Sequence, residues 1–333
     1  MRGHWKMRQA AFGCALMLLC AAALADGLRI VVLSDFNGSY GSTRYEASVR
    51  SAVAATRRLQ PDLVLSTGDM VAGQRSRPPF TRPQLEAMWR AFHATVSEPL
   101  AAAGLEFVAT AGNHDASAYA AFDLERTVYR EQWRSRTPAR LIDSGDFPFY
   151  FAFVVGDALI VSLDATVPGH LPAIQREWLA RVLAEHGPRH RWRIVFGHLP
   201  IWPLVAERER DVLGDRDLEQ LLVSAEVTVY LSGHHHAYFP GTHGGLAQIG
   251  QACVGAAPRH LIGSTLRSDR AITVLDLAAD GSWTARALAG EDYSIEIDHG
   301  SLPDTIDSRI AKIRRLEMPI MRSAAAGSSS EGQ

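Results

Sequence analysis

The chain has 333 residues, 47% hydrophobic and 21% charged, which is enough apolar mass for one large domain and excludes a disordered, collagenous or coiled-coil protein. Its formal net charge is −2, with 34 Lys and Arg against 36 Asp and Glu, and a surface with that balance does not recruit nucleic acid.

Residues 1–25 stand apart. Arg2, Lys6 and Arg8 precede an apolar run from Ala11 to Ala25 that closes on Ala23-Leu24-Ala25, a small-x-small cleavage signal. The segment is expected to be a signal peptide, with Asp26 as the mature N-terminus and a periplasmic or secreted product. The run is short for a bilayer, and no later stretch approaches the ~20 apolar residues of a transmembrane helix, so no stable membrane insertion is expected. Bulky Leu19 ahead of Cys20 argues against lipid attachment. Losing the three basic leader residues leaves 31 Lys and Arg against 36 Asp and Glu, a net of −5. Cys14 and Cys20 leave with the leader, so Cys253 stands alone and no intramolecular disulfide can form.

The first mature strand is expected over Leu28–Leu33, ending at Ser34-Asp35-Phe36-Asn37-Gly38. A helix follows over 42–59, with Tyr45, Val49, Ala52, Val53 and Leu59 at helical spacing. A second strand, 62–65, ends at Gly68-Asp69. Strand, helix, strand is a unit whose natural outcome is a parallel pair. An Arg- and Pro-rich loop, 72–83, lies on the side of the strand ends and leads to a helix over 83–103. The apolar run 105–110 then ends at Gly112-Asn113-His114-Asp115.

From Ala116 to Ser144 the chain is a polar, aromatic and Arg-bearing insert with Tyr119, Arg126, Tyr129, Arg130, Trp133 and Arg134. Because it follows the Asn113 loop directly, it is expected to fold over the site as a partial cap. Phe149–Val155 and Ala158–Leu163, joined at Gly156-Asp157, form a hairpin signal. It ends at Asp164, read as a turn residue or a second-layer partner of the site. A helix over 173–185 precedes the strand Trp192–Phe196 and Gly197-His198, and the strand Val227–Leu231 ends at Gly233-His234-His235-His236. Residues 248–254, 271–277 and 283–288 are expected to be antiparallel sheet. The domain is expected to span 26–303, followed by one basic helix and an Ala-Gly-Ser-rich disordered tail over 304–333. There is no internal repeat and no domain linker.

Asp35, Asp69, Asn113, His198, and His234 with His236, all terminate apolar strands. Two carboxylates, one amide and three imidazoles suffice for two divalent cations, and one carboxylate must then bridge, because cations ~4 Å apart need a shared anion to offset their repulsion. In Gly-His-x-His an extended backbone would put His234 and His236 on one face and His235 on the other. A single Asp at a strand end is usually a cap and a lone His usually structural. Five strand ends carrying only ligand-type residues outweigh that reading.

In this order, Asp-x-Asn, Gly-Asp, Gly-Asn-His-Asp, Gly-His and Gly-His-x-His resemble the calcineurin-like metallophosphoesterase superfamily, over Asp35 to His236. The resemblance implies a four-layer αββα sandwich, two mixed β-sheets flanked by helices, with a dinuclear site at the strand ends. It also implies Asp35 and His236 on one metal, Asn113, His198 and His234 on the other, and Asp69 bridging. His114 would face the substrate without binding metal. Asn37 departs from the family's usual Asp-x-His and would bind weakly or through water.

Two divalent ions, Mn²⁺ or Fe²⁺ with Zn²⁺ as a further possibility, would lower the pKa of a bridging water until hydroxide exists at neutral pH. That hydroxide would open a phosphomonoester or phosphodiester bond of a small-molecule substrate. His114, oriented by Asp115, would stabilise the transition state or protonate the leaving oxygen. Arg side chains of the insert are candidate phosphate clamps, although most read as solvated surface. The competing reading, favoured by Asn37, is a metal- or ligand-binding protein that keeps the fold without turnover. Neither the 72–83 loop nor the insert carries a recognisable substrate code, and nothing in the sequence bears on oligomeric state.

Overall fold

A computed structural model describes residues 27–318 apart from Leu266. The expected signal peptide, its cleavage at Asp26 and the expected tail beyond 318 lie outside the described residues. The strands in chain order are β1 Leu28–Leu33, β2 Leu63–Ser66, β3 Phe107–Ala109, β4 Leu141–Asp146, β5 Tyr150–Val155, β6 Ala158–Ser162, β7 Trp192–Gly197 and β8 Val229–Ser232. They continue as β9 Phe239–His243, β10 Leu246–Gly250, β11 Ile272–Leu277, β12 Trp283–Ala289, β13 Ile295–Glu296, β14 Thr305–Asp307 and β15 Lys312–Arg315.

They form two mixed sheets, one in the order β13-β12-β11-β1-β2-β3, the other β14-β15-β9-β10-β8-β7-β6-β5-β4. In the first, β1, β2 and β3 are parallel while β11 joins β1 antiparallel. In the second, β6, β7, β8 and β10 are parallel. Alternation along β1 separates two cores. Val31 and Leu33 pack with Val49 and Val53 of the helix Ala47–Leu59 and with Met88 and Phe92 of the helix Arg82–Phe92. Ile30 and Val32 join Ile160, Ile194 and Val229 between the sheets, in a core continuous with Leu179 and Leu222 of the helices Ala173–His186 and Arg216–Ser224. The result is a pair of mixed sheets flanked by helices on both outer faces. No helix among the described residues is long and apolar enough to cross a membrane.

Three expectations need correction. The first helix begins at Ala47 rather than 42, because Gly41 takes φ +79° and Ser42 Oγ accepts from Arg44 N at 3.1 Å, holding 38–46 as a loop. The 116–144 insert, expected as a partial cap, is anchored in the core along its helix. Its helix Asp123–Trp133 buries Val128, Tyr129 and Trp133 against the side of the first sheet, with Trp89 5.7 Å from the Tyr129 ring and 6.1 Å from the Trp133 ring. The basic helix after 303 is instead a pair of strands. Ile306 and Ile313 lie directly opposite each other and are fully buried, and Arg314 pairs with Thr242 of β9. Ile313 occupies the space that a side chain at Gly241 would need, so period-two burial overrides helix propensity and carries the fold to Arg315.

Candidate metal centre

Asp35, Asp69 and Asn113 follow β1, β2 and β3, whereas His198 and the 234–236 segment follow β7 and β8, so the C-terminal ends of parallel strands in both sheets supply the donors. The backbone there is left-handed: φ is 53° at Asp35, 56° at Asp69, 63° at His234 and 52° at His236. Such conformations cost on the order of 1 kcal/mol each and persist where surrounding structure over-determines them. Gly68 turns the chain ahead of Asp69 at φ +99°, whereas Gly112 and Gly233 make room. A Cβ at Gly112 would collide with Asp69 N and Oδ1, and one at Gly233 with Ser34 Oγ.

Asp69 Oδ1 accepts from His114 N at 2.9 Å and lies 3.3 Å from His198 Nε2. Asp35 Oδ2 accepts from Ser34 Oγ at 2.5 Å and His234 N at 3.2 Å, which leaves Oδ1 buried without a hydrogen bond, 3.1 Å from His236 Nε2. Two sets of ligand atoms thus converge within 4.8 Å, Asp35 with Asp69 and His236, and Asp69 with His198 and His234; Asp69 belongs to both.

Hydrogen bonds fix which atoms face inward. His198 Nδ1 lies 2.8 Å from Thr67 O and His236 Nδ1 2.9 Å from Ala257 O, so each carries its hydrogen there and presents a bare Nε2 to the cluster. Asn113 Nδ2 donates to Gln74 Oε1 at 2.6 Å, which turns Asn113 Oδ1 inward, 2.8 Å from His198 Nε2. His234 Nδ1 stands 3.2 Å from the same nitrogen. Four acceptor atoms around one point repel one another unless a cation sits among them, and the donor set of imidazole, carboxylate and amide oxygen suits a first-row divalent metal.

Charge follows the same pattern. Burial disfavours the His198 cation, but the Asp69 carboxylate beside it, with Asp35 beyond, reverses this and lifts His198 to about 9. Burial would raise Asp69 too, yet His198 and His114 hold it well below the usual carboxylate range. His234 is pushed well down, by burial first and His198 second. A proton drawn to the Asp69 and His198 pair takes the place a cation would fill.

Asn37 is buried, its N–H donates to Asp69 O at 3.2 Å, and its side-chain oxygen accepts no hydrogen bond. His114 Nδ1 is bound to Gly73 O at 3.0 Å, and Nε2 stands 4.0 Å from Asp69 Oδ2 on a ring that remains partly exposed. Asp115 does not orient that ring. Its carboxylate accepts from Met70 N, Val71 N and Gly112 N at 2.8 to 2.9 Å, clamping the β2 and β3 loops together. Burial and then Asp69 push Asp115 up to about 7, against amides that favour its charged form. Asp164 pairs with Arg126 at 2.7 Å and Asp146 with Arg130 at 2.7 Å, so both arginines already hold a carboxylate. His235 points away, with Nδ1 accepting from Leu204 N at 3.2 Å. The outer histidines are thus separated from it by left-handed turns rather than by an extended strand.

Gln74, Gly73, Thr67 and Ala257 escaped the sequence reading. Three of them act through backbone carbonyls, which no residue type announces. Gln74, itself at φ +65°, has its N–H tied to the Glu125 carboxylate at 2.9 Å. A third carboxylate and histidine group, His170 with Asp215 and Asp217, is exposed apart from Asp215, whose oxygens accept from Leu218 N and Leu171 N.

Two helix-flanked mixed sheets with metal-type donors at their strand ends define a metal-dependent α/β class. The model of the calcineurin-like phosphoesterase family matches residues 28–238, and the chain belongs to that family. No curated protein matches the sequence. The fold is similar to that of a purple acid phosphatase, PPD1, from yellow lupin (Lupinus luteus) seeds, with TM-score 0.60 and 16% identity over 81% of this chain; the chain spans 53% of the lupin protein. A dimetal phosphatase from Danio rerio gives 0.53 and 16%, covering 82% of this chain and 98% of that one. GAP50, described as the anchor in the inner membrane complex of Plasmodium, gives 0.56 and 13%, covering 89% and 90%.

Proposed function

We propose that the protein is an exported dinuclear metal phosphoesterase acting on a small-molecule phosphomonoester or phosphodiester. The observation that carries this reading is Asp69, whose carboxylate belongs to both convergent donor sets. Asp35 and His236 would complete one site, with Asn37 as a weak further donor, and Asn113, His198 and His234 the other, filled by Mn²⁺, Fe²⁺ or Zn²⁺. The bound ions supply Lewis acidity toward phosphoryl oxygens and acidify water. The chain supplies the rest. Thr67 and Ala257 carbonyls keep His198 and His236 in the tautomer that presents Nε2, and Gln74 holds the Asn113 amide oxygen inward. His114, outside the donor sets and with its Nδ1–H given to Gly73 O, presents Nε2 to a phosphoryl or leaving oxygen and, in its imidazolium form, delivers a hydrogen bond or proton there. Export rests on the basic, apolar and small-x-small pattern of residues 1–25.

A non-catalytic binding protein on this fold is the second reading. Asn37 in the first motif favours it, as does a similar fold in a Plasmodium protein described as an anchor. Metal-loaded protein should hydrolyse a phosphomonoester or phosphodiester from a broad panel, with two equivalents of metal by elemental analysis. Two metals without turnover across the panel would leave the binding reading in place of the enzyme.

A further inference from the structure

Among the exposed large hydrophobic side chains of the described residues, Tyr40 is the one whose ring meets a site residue. It is 57% exposed, and its ring centre lies 5.3 Å from that of His114, tilted by 44°. Single exposed tyrosines are ordinary and need no explanation, but this one is held in place. Gly41 N donates to Ala72 O at 2.8 Å, Ser42 N closes a turn on Ser39 O at 2.9 Å, and Gly41 lies so close to the Phe80 ring that a Cβ would come within 2.8 Å of it. The adjoining residue, Gly73, holds His114 from both sides, taking its Nδ1 and donating to its carbonyl. One short segment, Ala72-Gly73, thus anchors both the loop that carries Tyr40 and the ring of His114.

We infer that Tyr40 is a stacking platform for the leaving group and that the substrates are phosphate esters with a flat aromatic ring one or two bonds from the ester oxygen. This rests on His114 acting at the leaving oxygen. With the two ring centres 5.3 Å apart, a flat group on an oxygen held by His114 comes within the range of an aromatic contact with Tyr40. Offset or tilted aromatic contacts at 4.5–7 Å are favourable beyond simple area burial, and Tyr40 is exposed enough to offer one.

Benzylphosphonate and methylphosphonate, which cannot be hydrolysed, test the platform by calorimetric titration of the Mn²⁺-loaded protein. Wild type and Tyr40→Phe should bind the benzyl compound about five- to tenfold more tightly than the methyl one, whereas Tyr40→Ala and Tyr40→Leu should lose that preference. In parallel, the kcat/KM ratio for benzyl phosphate over glycerol 2-phosphate should fall by a similar factor in Tyr40→Ala. A preference that survives Tyr40→Ala, is missing from wild type, or gives way to equal losses for both ligands overturns the platform. Neither phosphonate binding would overturn it as well. Phosphonate discrimination without hydrolysis of any ester would sink the phosphoesterase reading and with it the substrate class, leaving Tyr40 a binding platform only, whereas hydrolysis without discrimination would sink the platform alone.

Discussion

Asp69 is the one carboxylate common to both donor sets, and its backbone is held left-handed so that it can reach them. Asp69→Ala should therefore lower metal content more than Asp35→Ala or His198→Ala, as read by elemental analysis after gel filtration; retention of both ions would contradict the bridging role. His114 offers the opposite case. Its ring is tied to Gly73 O outside the donor sets, so His114→Ala should keep both metals while turnover falls roughly 10²- to 10⁴-fold. Parallel loss of metal and activity would make it a ligand instead. Asn37 poses a third test at this scale. A buried amide oxygen without a partner costs about 1–3 kcal/mol unless something cationic faces it. An amide in place of an imidazole makes the Asp35 and His236 set oxygen-rich and inclined to Mn²⁺, and Asn37→His should tighten that set and shift it toward Zn²⁺. Unchanged stoichiometry and preference would make Asn37 a turn residue. The side chains that converge were legible in sequence because each ends an apolar run, and the Gly-His-x-His spacing drew notice to His234 and His236. Their left-handed backbones and the carbonyls that set their tautomers were not, since both arise only when distant strands meet.

At the scale of elements, parallel β1 and β2 and the β5–β6 hairpin could be read from apolar runs and the Gly156 turn, because their determinants are local. What periodicity could not reveal was tertiary. The 116–144 insert has the composition of a surface flap, yet Tyr129 and Trp133 find Trp89 and Phe92 and become core, leaving Glu125 to brace the Gln74 that orients Asn113. The stretch Lys312–Arg315 has only Ile313 to bury, and only the groove over Gly241 makes that side chain decisive. Truncation after residue 303 would uncover β9 and remove Ile306 and Ile313 from the core. Each large-to-small change there costs about 2–5 kcal/mol, so the truncated chain should melt well below the full one by calorimetry. An unchanged melting temperature would restore 303 as the domain boundary. Ile313→Ala, a milder version, should lose part of that stability while keeping metal content, because its side chain is remote from the donor sets in sequence and packs in the intersheet core.

Across the whole molecule, the helix Arg82–Phe92 continues through a π-helical turn, His93–Ser97, and carries an imidazole into an aromatic cluster outside both convergent donor sets. His93 packs 5.8 Å from Trp89 and 5.9 Å from Trp133, its Nδ1 meets Ser97 Oγ at 2.7 Å, and Nε2 is buried with no partner. Burial first, then the positive charge of Arg136, pushes it down from 6.5 to about 4. The folded value lies below the unfolded one, so acid protonates the unfolded chain first. Stability from the neutral ring is therefore complete above about 6.5 and is lost as pH falls toward 4. Metal release in acid would add a second loss, so the comparison belongs in metal-free protein. There, the urea midpoint of wild type should fall more between pH 7.5 and 5 than that of His93→Leu, which has nothing to protonate at this position. Curves that stay parallel over that interval would mean that His93 keeps an ordinary pKa in the fold, with its charge accommodated by water entering the cluster.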